Sequence, residues 1–181
     1  MTIDRLMGNV TKTALIGLGS NLGFNDLDKA EVIEAAIEDI SRFAYLKKSS
    51  CLYVSPAWPE GNDSPDYLNC VIAIETGLSP KDILEKLRHI EEKYGRVRDK
   101  QNRWAARTLD LDIIAIDDMV LNEKDLKIPH PRMEVRDFVI LPLSEVAPNW
   151  VHPISGASLV EMIASLIFSG KHILAKPVVN A

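Results

Sequence analysis

Apolar positions along this chain recur with two periods, and their order predicts a mixed fold. Thr13 to Gly19 (TALIGLG) is a short apolar run closed by glycine, as in a buried strand, and GSNLG follows as a turn with Gly19 and Gly23 giving backbone freedom. From about Asp26 the residues Ile33, Ala36, Ile37, Ile40 and Phe43 return at helical spacing, with Asn25 or Asp26 placed to cap the helix. Leu46 to Val54 reads as a strand of less regular alternation. Residues 55–65 (SPAWPEGNDSP) carry three prolines and a glycine, so they separate that strand from the next, Tyr67 to Glu75, which is rich in β-branched residues.

The clearest helix follows. Ser79 stands at the N-cap, Pro80 at the first helical position and Asp82 at the capping-box position, before the stripe Ile83, Leu84, Leu87, Ile90 and Tyr94 and the terminating Gly95. Thr108 to Ile116 is a strand, Asp117–Asp118 a turn and Met119 to Leu121 a short partner strand. Pro142 inside the apolar stretch from Phe138 to Val146 predicts a helix that is short or begins near the proline, and SLVEMIASLI is a final amphipathic helix. The order β-α-β-β-α-β predicts an α+β, ferredoxin-like core: an antiparallel sheet with helices packed on it and extra C-terminal elements. Residues 13–181 then form one domain behind a tail of residues 1–12 read as disordered.

Composition narrows the function classes. A chain of 181 residues that is 46% hydrophobic and 26% charged suits one sizeable soluble core. No stretch approaches the roughly 20 apolar residues of a membrane span, and the first residues lack the apolar core of a secretory signal. Cys51 and Cys70 sit in strand-like apolar surroundings and read as reduced core residues of a cytoplasmic protein. A net charge of −5 gives no reason to expect nucleic acid or an anionic membrane. Yet Arg96, Arg98, Lys100, Arg103 and Arg107 stand against Asp99 alone, a local +4 in an acidic chain, which points to a small, highly charged anion.

That basic loop leads into Asp110 and Asp112. Two apart on a strand, their side chains leave one face, while Leu109, Leu111 and Ile113 leave the other; Ile114 and Ile116 are expected to continue the aspartate face. Paired carboxylates repel unless a cation lies between them, and hard oxygens suit Mg²⁺. Alone, such a pair is more often a solvated strand face. Beside four arginines, whose planar forks match phosphate oxygens, it becomes a candidate phosphoryl-transfer centre. No glycine-rich phosphate loop of a known pattern is present. His130, fixed between Pro129 and Pro131, has structural and functional readings of equal weight. Trp58 and Trp104 either cover a flat ligand or anchor their loops.

Taken together, GLGSNLG, SPDYLN (64–69), GRVR (95–98), RTLDLDI (107–113) and IPHPRM with VRDFVILPL make the chain resemble the 6-hydroxymethyl-7,8-dihydropterin pyrophosphokinases of folate biosynthesis, from about Thr13 to Pro148. The resemblance implies a ferredoxin-like enzyme that moves pyrophosphate from ATP to the pterin hydroxymethyl group and releases AMP. It implies two Mg²⁺ ions held by Asp110 and Asp112, with Arg96 and Arg107 also catalytic. It implies ATP contacts from Glu91, Arg96, Arg98, Trp104, Arg107, His130 and Arg136. For the pterin it implies Asn69 reading the ring edge and Tyr67 and Phe138 sandwiching it. Main-chain groups of Ser55, Pro56, Ala57 and Trp58 complete that edge, with Trp104 closing over the ligands. A cytoplasmic monomer with no nucleic-acid or membrane partner is expected. Ala105–Ala106 stands where many members have Gly-Pro, and the stretch from Arg98 to Trp104 is one residue longer than in one member of the family. Two other classes remain open from the residues alone: a non-catalytic nucleotide sensor, and a D-x-D nucleotidyltransferase acting on nucleic-acid ends.

Overall fold

β1 (Lys12–Ser20) lies inside the sheet because its apolar run is buried on both faces, with Ala14 and Ile16 fully enclosed. The computed structural model describes residues 11–57, 64–96, 106–169 and 175–178. The remaining elements are α1 (Lys29–Ser41), β2 (Tyr45–Ser49), β3 (Tyr53–Ser55), β4 (Tyr67–Thr76), α2 (Pro80–Lys93), β5 (Asp110–Ile116), β6 (Leu121–Asn122), β7 (Lys127–Ile128), α3 (Asp137–Val146), α4 (Leu159–Phe168) and β8 (Lys176–Pro177). The main sheet runs β5-β1-β4-β3-β8, and β2 also pairs with β4. All of these pairings are antiparallel. This is the expected ferredoxin-like core, with α3 and α4 added. Among the described residues no helix is long and apolar enough to cross a membrane.

Two hydrophobic layers fix the sheet. On one face Ile33, Ile40, Ile83 and Leu87 of α1 and α2 pack against Ile16, Ile72, Leu111 and Ile113. On the other, Ile140, Leu143, Met162 and Leu166 of α3 and α4 cover Leu15, Val71 and Ile114. Full burial of each such side chain contributes on the order of 1.5–3 kcal/mol.

α2 is capped as its sequence predicts: Ser79 accepts from Asp82 N, and Asp82 reaches back to the cap. Gly95 closes it at φ +76°, where an added Cβ would meet the Phe24 ring at 2.5 Å. α1 corrects the expectation. Its cap is Asp28, not Asn25 or Asp26, because Asp28 and Glu31 form the reciprocal box and Asn25 takes the preceding turn at φ 53°.

Five other expectations change. Cys70 is in the core, but Cys51 is exposed between β2 and β3, where its thiol donates to Glu145 Oε1 at 3.1 Å. The strand expected from Leu46 to Val54 is two strands on one edge of β4, broken where Ser50 bonds to both backbone groups of Val71. β6 pairs with β7 rather than with the aspartate strand. α3 starts at Asp137 with Pro142 inside it; burial of Val139, Ile140, Leu143 and Val146 outweighs the roughly 3 kcal/mol such a proline costs. Finally, β5 carries a bulge: Leu15 pairs with Ala115 but Ile16 with Ile113, so Ile114 is the extra residue. Ile114 therefore stays on the aspartate face, while Ile116 turns to the α1–α2 core.

Candidate active site

The start of β5 gathers charge. Arg96 lies just past α2, Arg107 just before β5, and both close on Asp110, at 2.5 Å (Nη1 to Oδ1) and 2.9 Å (Nη1 to Oδ2). Behind Arg96 is Glu91 of α2, only 2% exposed, whose carboxylate pairs with the Arg96 guanidinium and accepts the Leu111 N–H at 2.9 Å. Glu91 thus fastens Arg96 to both α2 and β5. Burial alone would raise the Asp110 carboxyl, but Arg96 and Arg107 outweigh it and hold it below the usual carboxylate range.

Asp112 is the more open carboxylate, its side chain 42% exposed. His130 Nε2 and Arg136 Nη1 each stand 3.8 Å from its Oδ2, beyond hydrogen-bond reach. Desolvation and then the charge of Asp110 push its pKa up to about 6, against the pull of Arg136, Arg96 and Arg107. His130 is held by its backbone N–H to Ile114 O at 2.8 Å, after a cis Ile128–Pro129 peptide. Its Nδ1 accepts the Arg132 N–H at 3.2 Å, so the neutral ring carries its proton on Nε2, facing Asp112. Burial, with Arg136 and Arg132, lowers its pKa to about 4, and it is a neutral donor at pH 7.

Across the sheet from these carboxylates the floor is bare. Asp112 is in register with Gly17, and Asp110 with Gly19, which is in register on its other side with Asn69 of β4. A Cβ at Gly19 would meet Asn69 Oδ1 at 3.3 Å, Tyr67 Cδ1 at 3.8 Å and Asp110 Cβ at 4.0 Å. Three side chains from two strands converge on one residue without a side chain. Asn69 Nδ2 donates to Ser55 Oγ at 2.9 Å and to Tyr53 O at 3.4 Å. Ser55 and Ala57 are buried and Pro56 is exposed. Phe138, half-buried at the start of α3, lies beneath the Arg136 guanidinium at 5.5 Å from its centroid.

Beside Asp112 a cavity of about 220 Å³ opens along the edge of β5, between Leu84 of α2, Ile113, Leu126, Lys127 and His130. It offers an apolar slot next to the charged cluster. Among the described residues no three His, Cys, Asp or Glu side chains gather to hold a metal unaided. Two carboxylates facing a basic cleft offer the hard oxygen donors that suit Mg²⁺.

The structure therefore brings together Arg96, Arg107, Asp110 and Glu91, places Asp112, His130 and Arg136 beside them, and sets Tyr67, Asn69 and Ser55 on the adjoining floor. Trp58, Arg98 and Trp104 lie outside the described residues. Sequence reasoning missed Asn21, only 1% exposed. Its Oδ1 accepts the Arg107 N–H at 2.6 Å, its Nδ2 donates to Pro65 O at 3.2 Å, and its own N–H donates to Arg107 O at 3.0 Å. The readable signal was a carboxamide in a tight turn next to two small residues. Gly19, expected to give backbone freedom, lies in β1 without positive φ, as does Gly17, and both serve by lacking a side chain.

The chain is similar to known proteins along most of its length. The family model for 7,8-dihydro-6-hydroxymethylpterin-pyrophosphokinase (HPPK) matches residues 15–148. The chain is 44% identical over 144 residues to 2-amino-4-hydroxy-6-hydroxymethyldihydropteridine pyrophosphokinase of Haemophilus influenzae, covering 78% of this chain and 85% of that one. It is 39% identical over 152 residues to the protein of the same name from Synechocystis, covering 83% and 74%. In fold it is similar to wild-type Plasmodium falciparum HPPK-DHPS, with a TM-score of 0.69 at 13% identity over 92% of this chain, and it spans about half (48%) of that longer protein.

Proposed function

Because the chain belongs to the 7,8-dihydro-6-hydroxymethylpterin-pyrophosphokinase family, we propose that the row Asp110–Gly19–Asn69, with Arg96 and Arg107, is its reaction centre. The protein transfers pyrophosphate from ATP to 6-hydroxymethyl-7,8-dihydropterin, giving AMP and the pterin pyrophosphate, in folate biosynthesis. The observation that carries the site assignment is the convergence of a carboxylate, an aromatic ring and a carboxamide within about 4 Å of a Cβ at Gly19.

In this reading the pterin lies flat over Gly19, against Tyr67 and under Phe138, with Asn69 and the main chain of residues 55–57 at its edge. The nucleoside takes the apolar slot beside Leu84, Ile113 and Leu126, which leaves the phosphates between Asp112, His130 and the arginines. Asp110 and Asp112 would hold two Mg²⁺ ions, whose charge would offset the charge that develops on the phosphates. Arg96 and Arg107, engaged with Asp110 in the free protein, would swing to the phosphates and release the Asp110 oxygens. Neutral His130 donates from Nε2 to a phosphate oxygen, and Arg136 adds a cation from α3. The hydroxymethyl oxygen attacks the β-phosphorus in line and loses its proton to solvent, and the bond between the α,β-bridging oxygen and the β-phosphorus breaks, so AMP leaves. A monomeric single domain from residue 13 to 181, at work in the cytoplasm, fits the unpaired thiols of Cys51 and Cys70.

The test is AMP formation from ATP, Mg²⁺ and the dihydropterin, followed by chromatography. AMP appears only when all three are present. ADP as the product, or ATP cleavage indifferent to the pterin, would refute the reading.

A further inference from the structure

We infer that Ser55 is a positioning residue that, with the Tyr53 carbonyl, locks the Asn69 carboxamide so that only its oxygen faces the ligand; this rests on the pterin site proposed above. Asn69 and Ser55 are both buried, 6% and 4% exposed. They stand on β4 and β3 as diagonal neighbours, since Tyr53 is in register with Asn69 and Ser55 with Tyr67. An Asn side chain has two N–H donors and one carbonyl acceptor. Here one donor goes to Ser55 Oγ at 2.9 Å and the other to Tyr53 O at 3.4 Å.

The carbonyl of Tyr53 fixes the choice between the two amide orientations. A carbonyl cannot donate, so the Asn69 atom facing it must be nitrogen. Oδ1 is then the atom turned toward the bare face of β1, 3.3 Å from a Cβ at Gly19, and it accepts no hydrogen bond within the described residues. A site built this way presents an acceptor whose unmet partner is an N–H of the ligand. It favours a heterocycle with a lactam N–H or ring amine and disfavours one with an acceptor there, because a buried carbonyl facing another acceptor leaves both unpaired. β3 is itself tied down, because Tyr53 OH donates to Glu145 of α3 at 2.5 Å. The lock therefore stands on the sheet and on α3, not on a loop.

The experiment compares wild type, Ser55→Ala and Ser55→Thr for the KM of the dihydropterin, the KM of ATP and kcat. It repeats the pterin measurement with an analogue whose lactam N–H is replaced by C–H. Freed from its shorter bond and held only by the 3.4 Å contact to Tyr53 O, the carboxamide of Ser55→Ala loosens about its last torsion, and Oδ1 is no longer fixed on the ligand N–H. Its pterin KM rises about five- to tenfold while the ATP KM stays within twofold, and its discrimination against the C–H analogue shrinks. Ser55→Thr, which keeps the hydroxyl, stays near wild type on both measures. A pterin KM within twofold of wild type in Ser55→Ala, equal rises in both KM values, or a Thr variant no better than Ala would overturn the inference. Wild-type protein that makes no AMP at all would instead overturn the pterin reading beneath it.

Discussion

Placing one methyl group on the floor of the site should separate binding from folding. Gly19 has no positive φ, so Gly19→Ala meets no backbone penalty in β1, and replacing glycine reduces unfolded-state freedom by about 0.4–1 kcal/mol. Against that gain, the new Cβ stands 3.3 Å from Asn69 Oδ1, which must give by a few tenths of an ångström. Net stability should therefore change by less than about 1 kcal/mol. The ligand fares worse. A ring that rests on the bare backbone is lifted by the methyl, and overpacking of that kind costs about 1–3 kcal/mol, a loss of roughly five- to 150-fold in pterin affinity. The slot proposed for the nucleotide, beside Ile113 and Leu126, lies on the far side of β5, so ATP binding should be spared. Urea unfolding, calorimetric titration with each substrate and the rate of AMP release measure the three quantities. Pterin affinity within twofold of wild type in a normally folded Gly19→Ala protein would refute the placement of the ring.

Other outcomes follow from the same geometry. Asp110→Asn and Asp112→Asn should each lower AMP formation by at least a hundredfold while circular dichroism stays native, and near-normal turnover in either would remove the metal assignment. Mg²⁺ loading should release a proton near pH 6, since Asp112 is raised to about 6 and must ionise to ligate; calorimetry in buffers of differing ionisation heat reads this, and Asp112→Asn should abolish it. At Asp39, burial is outweighed by hydrogen bonds from Lys93 and Tyr94, so its folded pKa is depressed. Its contribution is present above the unfolded carboxylate value and is lost as pH falls through the folded one. Asp39→Asn should thus cost about 1 kcal/mol at pH 7, discounted because Lys93 is half exposed, and progressively less on acidification in urea titrations. An unchanged difference at low pH would count against this account.

How far the sequence could be read depended on whether each signal was local. Ser79, Pro80 and Asp82 specify a helix start through groups three residues apart, and α2 begins where they put it. Asp110 and Asp112 share a face by the period of a strand, and they do so in the structure. The same Asp-x-x-Glu logic at Asp28 and Glu31 was available but was masked by nearer polar residues. What stayed hidden was non-local. An apolar run such as IIAI is buried on either face, so nothing in it marks which residue is extra, and the bulge at Ile114 is set by pairing with β1. Asn21 reveals its role only when Pro65 and Arg107, 44 and 86 residues away, arrive beside it. β8 has two residues in the strand and exists because β3 offers it an edge.

The bulge in β5 also gives the strand two phases of alternation. Ahead of Ile114, the even-numbered side chains face the site; beyond it, Ile116 faces the helices of the opposite layer. A slip of one residue could bring one half back into a plausible pattern only by putting the other half out. Sliding toward a fully apolar core would drive Asp110 or Asp112 into the layer beneath α2. The extra residue thus works as a vernier: only one alignment satisfies both scales, and that alignment holds the two carboxylates in the cleft.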